Sequence, residues 1–221
     1  MRWTVFLSNG YNSSTASTGF FMLDLEAGMD GWSSGDYEYV EFEKGSGLSP
    51  LAVIDTGEDY IADRVYAGDR DGNMWVADVS EGAKSKLYSG PYFKAGQPVT
   101  AAPAVALSVD SGNDPDLMIL FGTGQYLEAK DNGTTDTQYF YAVHETSGPA
   151  GDPVLPPLTA SDLEAVNLTT SGSTRKILET EPRIDYTKDR GWYIPLPTSG
   201  ERIVNYPIIR GEYVYVNTII P

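Results

Sequence analysis

Pro50-Leu51-Ala52-Val53-Ile54, then Arg64-Val65-Tyr66-Ala67-Gly68, then Asn73-Met74-Trp75-Val76-Ala77-Asp78-Val79: on these three runs the reading of the fold turns. Each is short, rich in β-branched and aromatic residues, and bounded by Gly, Pro, Asn or Asp, which marks a strand. Arg70-Asp71-Gly72-Asn73 joins the last two, and its Asp-Gly pair supplies the positive φ of a tight hairpin. The pattern recurs. Pro103-Ala104-Val105-Ala106-Leu107 opens a second unit, followed by Met118-Ile119-Leu120-Phe121-Gly122 and Gln138-Tyr139-Phe140-Tyr141-Ala142-Val143. Pro207-Ile208-Ile209 opens a third, continued by Tyr213-Val214-Tyr215-Val216-Asn217. Thr4 to Gly10 and Gly19 to Leu25 belong to a unit already under way at the N-terminus.

Pro50 and Pro103 stand roughly 50 residues apart, and Pro207 follows at roughly twice that distance, a period that points to propeller blades. The excess is an insertion from Ser147 to Arg190. Gly10, Gly68 and Gly122 end the second strands, where a crowded propeller centre favours small residues. The expectation is an all-β chain, one β-propeller domain over 1–221. Its blade-like units span about 1–45, 46–96, 97–200 (with the insertion 147–190) and a partial 201–221. That set is too small to close a ring alone, so an open arc of something longer is expected. A β-sandwich with irregular strand spacing is the competing arrangement. Helical periodicity is nearly absent. One short peripheral helix is expected at Ser161-Asp162-Leu163-Glu164, whose Ser and Glu match a capping box.

Charge and composition remove several function classes. Lys plus Arg number 15 against 31 Asp plus Glu, a formal net charge of −16. A nucleic-acid binder needs a basic footprint, so nucleic acid is not an expected partner. The same balance opposes anionic lipid and favours divalent cations. Without Cys there are no disulfides, thiolate metal sites or cysteine nucleophiles. The one His, His144, excludes sites that need two imidazoles, and with no Gly-x-Ser-x-Gly elbow it makes a poor triad member. No run approaches 18 apolar residues, so no membrane-spanning helix is expected.

The sharpest local signal is Asp55-Thr56-Gly57-Glu58-Asp59-Tyr60-Ile61-Ala62-Asp63. Carboxylates at loop positions 1, 5 and 9, with the Ile61 carbonyl at position 7, can wrap a hard cation, and Ca2+ takes six to eight such oxygens. Gly57 occupies position 3, where an acidic or amide side chain is usual, so one ligand is lost. The other reading is an acidic surface turn. Asp69-Arg70-Asp71-Gly72-Asn73 reads as a plain hairpin, Asp110 to Asp116 as a solvated acidic loop, and Asp131-Asn132-Gly133 as a turn. Gly72 to Asp78 and Gly19 to Asp24 share a strand-Asp-turn pattern similar to that of quinone-cofactor dehydrogenase propellers, where it staples neighbouring blades. The vicinal Cys pair those enzymes tend to use is impossible here. A carbohydrate-binding propeller is a further alternative, given fifteen Tyr and four Trp.

Ordered segments resemble the PilY-type proteins of type IV pili. They are Trp3 to Asn12, Asp59 to Trp75, Gln97 to Pro103, Leu120 to Leu127, and Arg190 to Pro197 with Gly200 to Val204. The resemblance implies a modified, quinoprotein-like C-terminal β-propeller in a large secreted or surface protein. It also implies a non-enzymatic role in pilus assembly, extension against retraction, and adhesion at the pilus tip. Implied partners are minor pilus subunits, further propeller blades from this or another chain, and a host or surface receptor. The expected location is extracellular, with passage through the periplasm or outer membrane. The family's calcium loop falls on Asp55, Gly57, Asp59 and Asp63, and Gly57 departs from its pattern.

Overall fold

The computed structural model describes residues 3–57, 59–80, 84–108, 116–145, 157–177, 183–186 and 188–221. They form an all-β chain. Strands β1 (Thr4–Ser8), β2 (Gly10–Tyr11), β3 (Ser17–Asp24), β4 (Tyr37–Lys44) and β5 (Gly47–Leu48) build the first unit, with β1, β3 and β4 as an antiparallel sheet and β2 paired to β5. The second sheet runs through β6 (Ala52–Ile54), β7 (Arg64–Gly68) and β8 (Asn73–Asp78), with β9 (Ser85–Lys86) and β10 (Phe93–Lys94) both on β8. The third starts with β11 (Ala104–Ser108), β12 (Asp116–Gly122) and β13 (Tyr139–Glu145).

The insertion stitches the second and third sheets at their outer edges. Its β14 (Leu158–Thr159) lies parallel to β10, while β15 (Glu164–Ala165) lies parallel to β18 (Gly191–Pro195), which pairs with β13. Leu158, Leu163 and Val166 are buried, which holds these short segments down. A two-stranded excursion, β16 (Leu168–Ser171) with β17 (Thr174–Ile177), is largely exposed. The final hairpin is β19 (Ile208–Arg210) with β20 (Tyr213–Tyr215). Where a short helix was expected at Ser161 to Glu164 there is one 3-10 turn, Ala160–Asp162. Its capping box is made by Thr159 and Asp162, earlier than the sequence suggested, and Leu163 leaves the turn extended to reach the core.

The period-2 alternation of the central strands explains the stacking. On β7 and β8, Val65, Ala67, Trp75 and Ala77 face the first sheet, where they meet Phe20, Val40, Phe42 and Leu48. Tyr66, Met74 and Val76 face the third sheet and meet Ile119, Phe121, Tyr141 and Val143. Aromatic pairs lock both joints: Trp75 stacks on Phe42 at 5.2 Å, and Tyr141 packs on Phe93 at 4.9 Å. A sheet buried on both faces needs near-continuous apolar strands, which is what β7 and β8 supply.

Between units the chain crosses the inner end of the preceding sheet. Val99 N–H donates to Asp69 O at 2.9 Å, and Ile203 N–H donates to Thr123 O at 3.0 Å. A Cβ on Gly68 would lie 2.3 Å from Val99, and one on Gly122 would lie 2.3 Å from Ile203. Gly10 differs from the expectation: it has open space around it, and its φ of 70° is what calls for glycine.

Candidate functional site

The Asp55–Asp63 loop joins β6 to β7, whose ends pair as Ile54 with Arg64. Asp63 N–H donates to Ile54 O at 2.9 Å, and Val79 N–H to Asp63 O at 2.9 Å, so the base of the loop is anchored to the sheet. Above that base the carboxylates organise the backbone. Asp55 accepts from the Asp59 amide at 3.3 Å and the Tyr60 amide at 2.7 Å. Asp59 accepts from the Ile61 amide at 2.9 Å. Asp63 Oδ2 accepts from the Thr56 amide and hydroxyl, each at 2.7 Å, and from the Gly57 amide at 3.3 Å. Burial pulls the Asp63 carboxyl upward, but these donors together with Arg64 outweigh it and hold the group below the ordinary aspartate range.

Tyr60, sixth in the loop and 90% exposed, has φ 67°. Position 6 is where helix-loop-helix calcium loops place a glycine for their sharp turn. The loop therefore makes that turn with a tyrosine, a feature its sequence hides. Asp55 and Asp59 flank Gly57: a Cβ there would stand 3.9 Å from Asp55 Oδ1 and 3.8 Å from Asp59 Oδ2.

The donor set suits a hard cation in chemistry, since every side-chain donor is a carboxylate and the Ile61 carbonyl adds a further oxygen. It falls short in convergence: among the described residues no three carboxylates or imidazoles cluster as a metal site, and Asp63 is turned toward Thr56. Glu58 lies outside the described residues, as does most of the acidic run from Asp110 to Asp116.

The hairpin at Asp69 is a different object. Asp69 is 1% exposed and accepts from the Asn73 amide and Nδ2, both at 2.9 Å, and from Trp75 Nε1 at 2.7 Å. Burial raises its carboxyl, and those donors offset part of the rise. Its role is structural, setting the ring of Trp75 against the first sheet. Asp78, which ends the strand-Asp-turn pattern, pairs within its own sheet with Arg64 at 3.1 Å. The contact that crosses to the first sheet is the Trp75 ring on Phe42, which Asp69 orients.

Two buried polar groups escaped the sequence reading because their partners are remote. Glu145 closes β13 and accepts hydrogen bonds from the hydroxyls of Tyr66 on β7 and of Tyr88, between β9 and β10. Arg202 donates to the carbonyls of Gln125, Asp131, Thr134 and Gly200. Asp131, expected only as a turn residue, is buried and caps the amides of Leu127 and Glu128. His144 is a buried strand residue with its ring edge-on to Tyr186. No helix among the described residues is long and apolar enough to cross a membrane.

Comparison with known proteins places this architecture. The chain is 28% identical over 256 residues to a type IV pilus biogenesis factor PilY1 homolog of Xylella fastidiosa, covering 99% of this chain and 16% of that protein. It is 28% identical over 269 residues to PilY1 of Pseudomonas aeruginosa, covering all of this chain and 22% of that protein. It thus spans less than a quarter of the length of these relatives. The crystal structure of the Pseudomonas aeruginosa PilY1 C-terminal domain superposes with a TM-score of 0.75 at 24% identity, over 98% of this chain and 52% of that one. That likeness establishes the fold as a set of propeller blades. The family model described as PilY1 beta-propeller domain matches residues 1–175, and the chain belongs to that family.

Proposed function

We propose that this chain is the cation-responsive part of a propeller that works in type IV pilus biogenesis and surface adhesion, by binding and assembly without catalysis. Family membership supports the pilus assignment, since both relatives are named as biogenesis factors of that organelle. The observation that carries the cation assignment is the Asp55–Asp63 loop, in which two carboxylates flank Gly57 and Tyr60 makes the left-handed turn. Calcium is the expected ion because all donors are oxygens. When bound, the ion supplies positive charge that orders the loop, and Asp55, Asp59, Asp63 and the Ile61 carbonyl hold it. The site of action is the cell surface or pilus tip, with minor pilins, further blades and a surface receptor as partners.

Isothermal calorimetry of Ca2+ into the chain tests the ion, with one site lost on Asp59→Ala and retained on Asp71→Ala as the expected outcome. Equal loss in both variants, or no heat in either, would remove the loop from the account. The pilus assignment is tested by exchanging this segment for the matching segment of a PilY1 relative in its own host. Restored surface piliation supports it, and a chimera that is secreted and folded yet leaves cells bald sinks it.

A further inference from the structure

The first sheet is built like the other two, but its β1 edge is bare. Leu7 lies opposite Phe21 as Ala67 lies opposite Trp75 and Phe121 opposite Tyr141, so β1 corresponds to β7 and β12. Val5, Val65 and Ile119 hold one position in this scheme, and Phe6, Tyr66 and Leu120 hold the next. On the second and third sheets an inner strand covers both. Ala52 and Val53 of β6 lie opposite Tyr66 and Val65, and Ala104 and Val105 of β11 lie opposite Leu120 and Ile119. An Ala-Val pair therefore recurs in the same register. The inner strands also touch in series, β6 against β11 and β11 against β19. Among the described residues no strand lies on the corresponding side of β1. The Asn9 amide donates to Gly19 O at 3.0 Å, and strand alternation turns the amides of Leu7 and Val5 the same way. Those of Thr4, Phe6 and Ser8 face the bare edge. Burial records the difference: no β1 residue is buried, whereas Val65 to Gly68 all are.

We propose that the free edge of β1 is the docking site of one extended peptide strand of the β6 and β11 kind. It runs antiparallel to β1, with a small residue opposite Phe6 and a β-branched residue opposite Val5. Main-chain hydrogen bonds to an open edge supply affinity, and alternate side chains supply selectivity. Protein edges are usually blunted by charge, Pro or a bulge. Thr4-Val5-Phe6-Leu7-Ser8 carries no charge and no Pro, and its pairing with β3 is regular. The small residue is required because the position opposite Phe6 points toward the second sheet, where β6 stands next in the series. Pairing with the β1 of a second copy would bring bulky Val, Phe and Leu side chains to positions where β6 and β11 hold the Ala-Val pair. The occupant is therefore a strand of β6 chemistry. The apolar surface continues onto the outward face, where Leu7 is 50% exposed and Phe21 packs on Tyr39 at 4.7 Å. A sheet carried behind the strand would cover that face as the first sheet covers Ala67 and Trp75. This specifies how the further blades named above attach, and it is independent of the calcium reading.

Amide hydrogen exchange, read residue by residue, tests this on three chains. One is the chain itself. The second carries, ahead of Met1, the sequence of Pro50 to Ile54 and a Gly/Ser linker that with Met1 to Trp3 matches the Asp55–Asp63 loop in length. The third carries the same extension with Pro at both positions of its Ala-Val pair, which removes its ladder donors. In the chain itself Thr4, Phe6 and Ser8 should exchange faster than Val5 and Leu7. The extension should slow the three edge amides roughly tenfold, the effect of one net backbone hydrogen bond on local opening. The Pro extension should leave them fast. Equal exchange at Val76 and Phe121 in all three chains shows that each is folded alike. Edge amides already as slow as those of Val5 and Leu7 in the dilute chain would overturn the proposal. So would equal edge rates with and without the extension, or equal slowing by the Pro extension. Edge protection that grows with protein concentration, together with a dimer in analytical ultracentrifugation, would give the edge to a second copy and overturn it too.

Discussion

Two acidic loops sit at opposite ends of β7, and they use their carboxylates in opposite ways. Asp69 is sealed in the joint with three donors from Asn73 and Trp75. Asp59 stands exposed and Asp55 half-buried at the other end, and what they hold is their own backbone amides. A carboxylate buried among fixed donors has no remaining freedom and serves packing. Exposed carboxylates on a nine-residue loop keep theirs, since solvent-screened amide contacts can be exchanged for a cation at small cost. Acidity alone does not mark a site: the two loops differ in burial and in who supplies the donors.

The largest effect should follow from breaking the sealed loop. Asp69→Ala strands Trp75 Nε1 and Asn73 Nδ2 and loosens the Trp75–Phe42 stack. Each buried donor left unpaired costs about 1–3 kcal/mol, so a loss of about 3 kcal/mol is expected in urea unfolding. Calcium calorimetry on the surviving folded fraction should be unchanged. A destabilisation under about 1 kcal/mol would show that solvent reaches these donors.

The repeat was legible because its causes are local. Strands and turns recur in the same order, and Gly68 and Gly122 meet Val99 and Ile203 in equivalent places. The aromatic content of the strands was also visible, and Tyr139 and Tyr141 on β13 pack into the joint. Long-range polar contacts were not. Tyr66 and Glu145 are 79 residues apart, and Arg202 reaches Asp131 from 71 residues away. Nothing in the neighbourhood of either residue announces its partner. The helix expected in the insertion failed for a related reason: Leu163 is worth more buried against the core than at the end of a helical turn. At the candidate site, the spacing of the acids was readable, but the left-handed Tyr60 was not, because a bulky residue there gives no turn signal.

The exposed loop should respond to substitutions that leave the sealed one indifferent. Gly57→Asp places a carboxylate between Asp55 and Asp59, where a Cβ makes only ordinary contacts. Its calcium affinity should rise about tenfold, the effect of one added charged ligand, with a small stability loss in chelator from repulsion among three carboxylates. Unchanged affinity would mean that the ion, if bound, sits away from Gly57. Acid titration separates the loops further. The Asp63 carboxyl is depressed in the folded state, so its contribution is fully present above the unfolded aspartate value and is lost as pH falls through the folded one. The melting-temperature gap between wild type and Asp63→Asn, measured in chelator, should therefore narrow as pH drops below the ordinary aspartate range. A gap independent of pH would assign the Asp63 effect to shape rather than charge.

The smallest effect concerns the backbone of the exposed loop. Tyr60 holds φ 67° with its side chain 90% exposed, so few contacts compensate the left-handed strain. Glycine relieves that strain, worth about 1 kcal/mol, but loses roughly 0.5–1 kcal/mol through the freer unfolded chain. Tyr60→Gly should therefore leave thermal stability nearly unchanged in chelator while sharpening the turn for a cation, which appears as a modest gain in calcium affinity. A clear loss of stability would mean that the tyrosine ring makes contacts that outweigh its strained backbone, and the loop would then be closer in kind to the sealed turn at Asp69 than its exposure suggests.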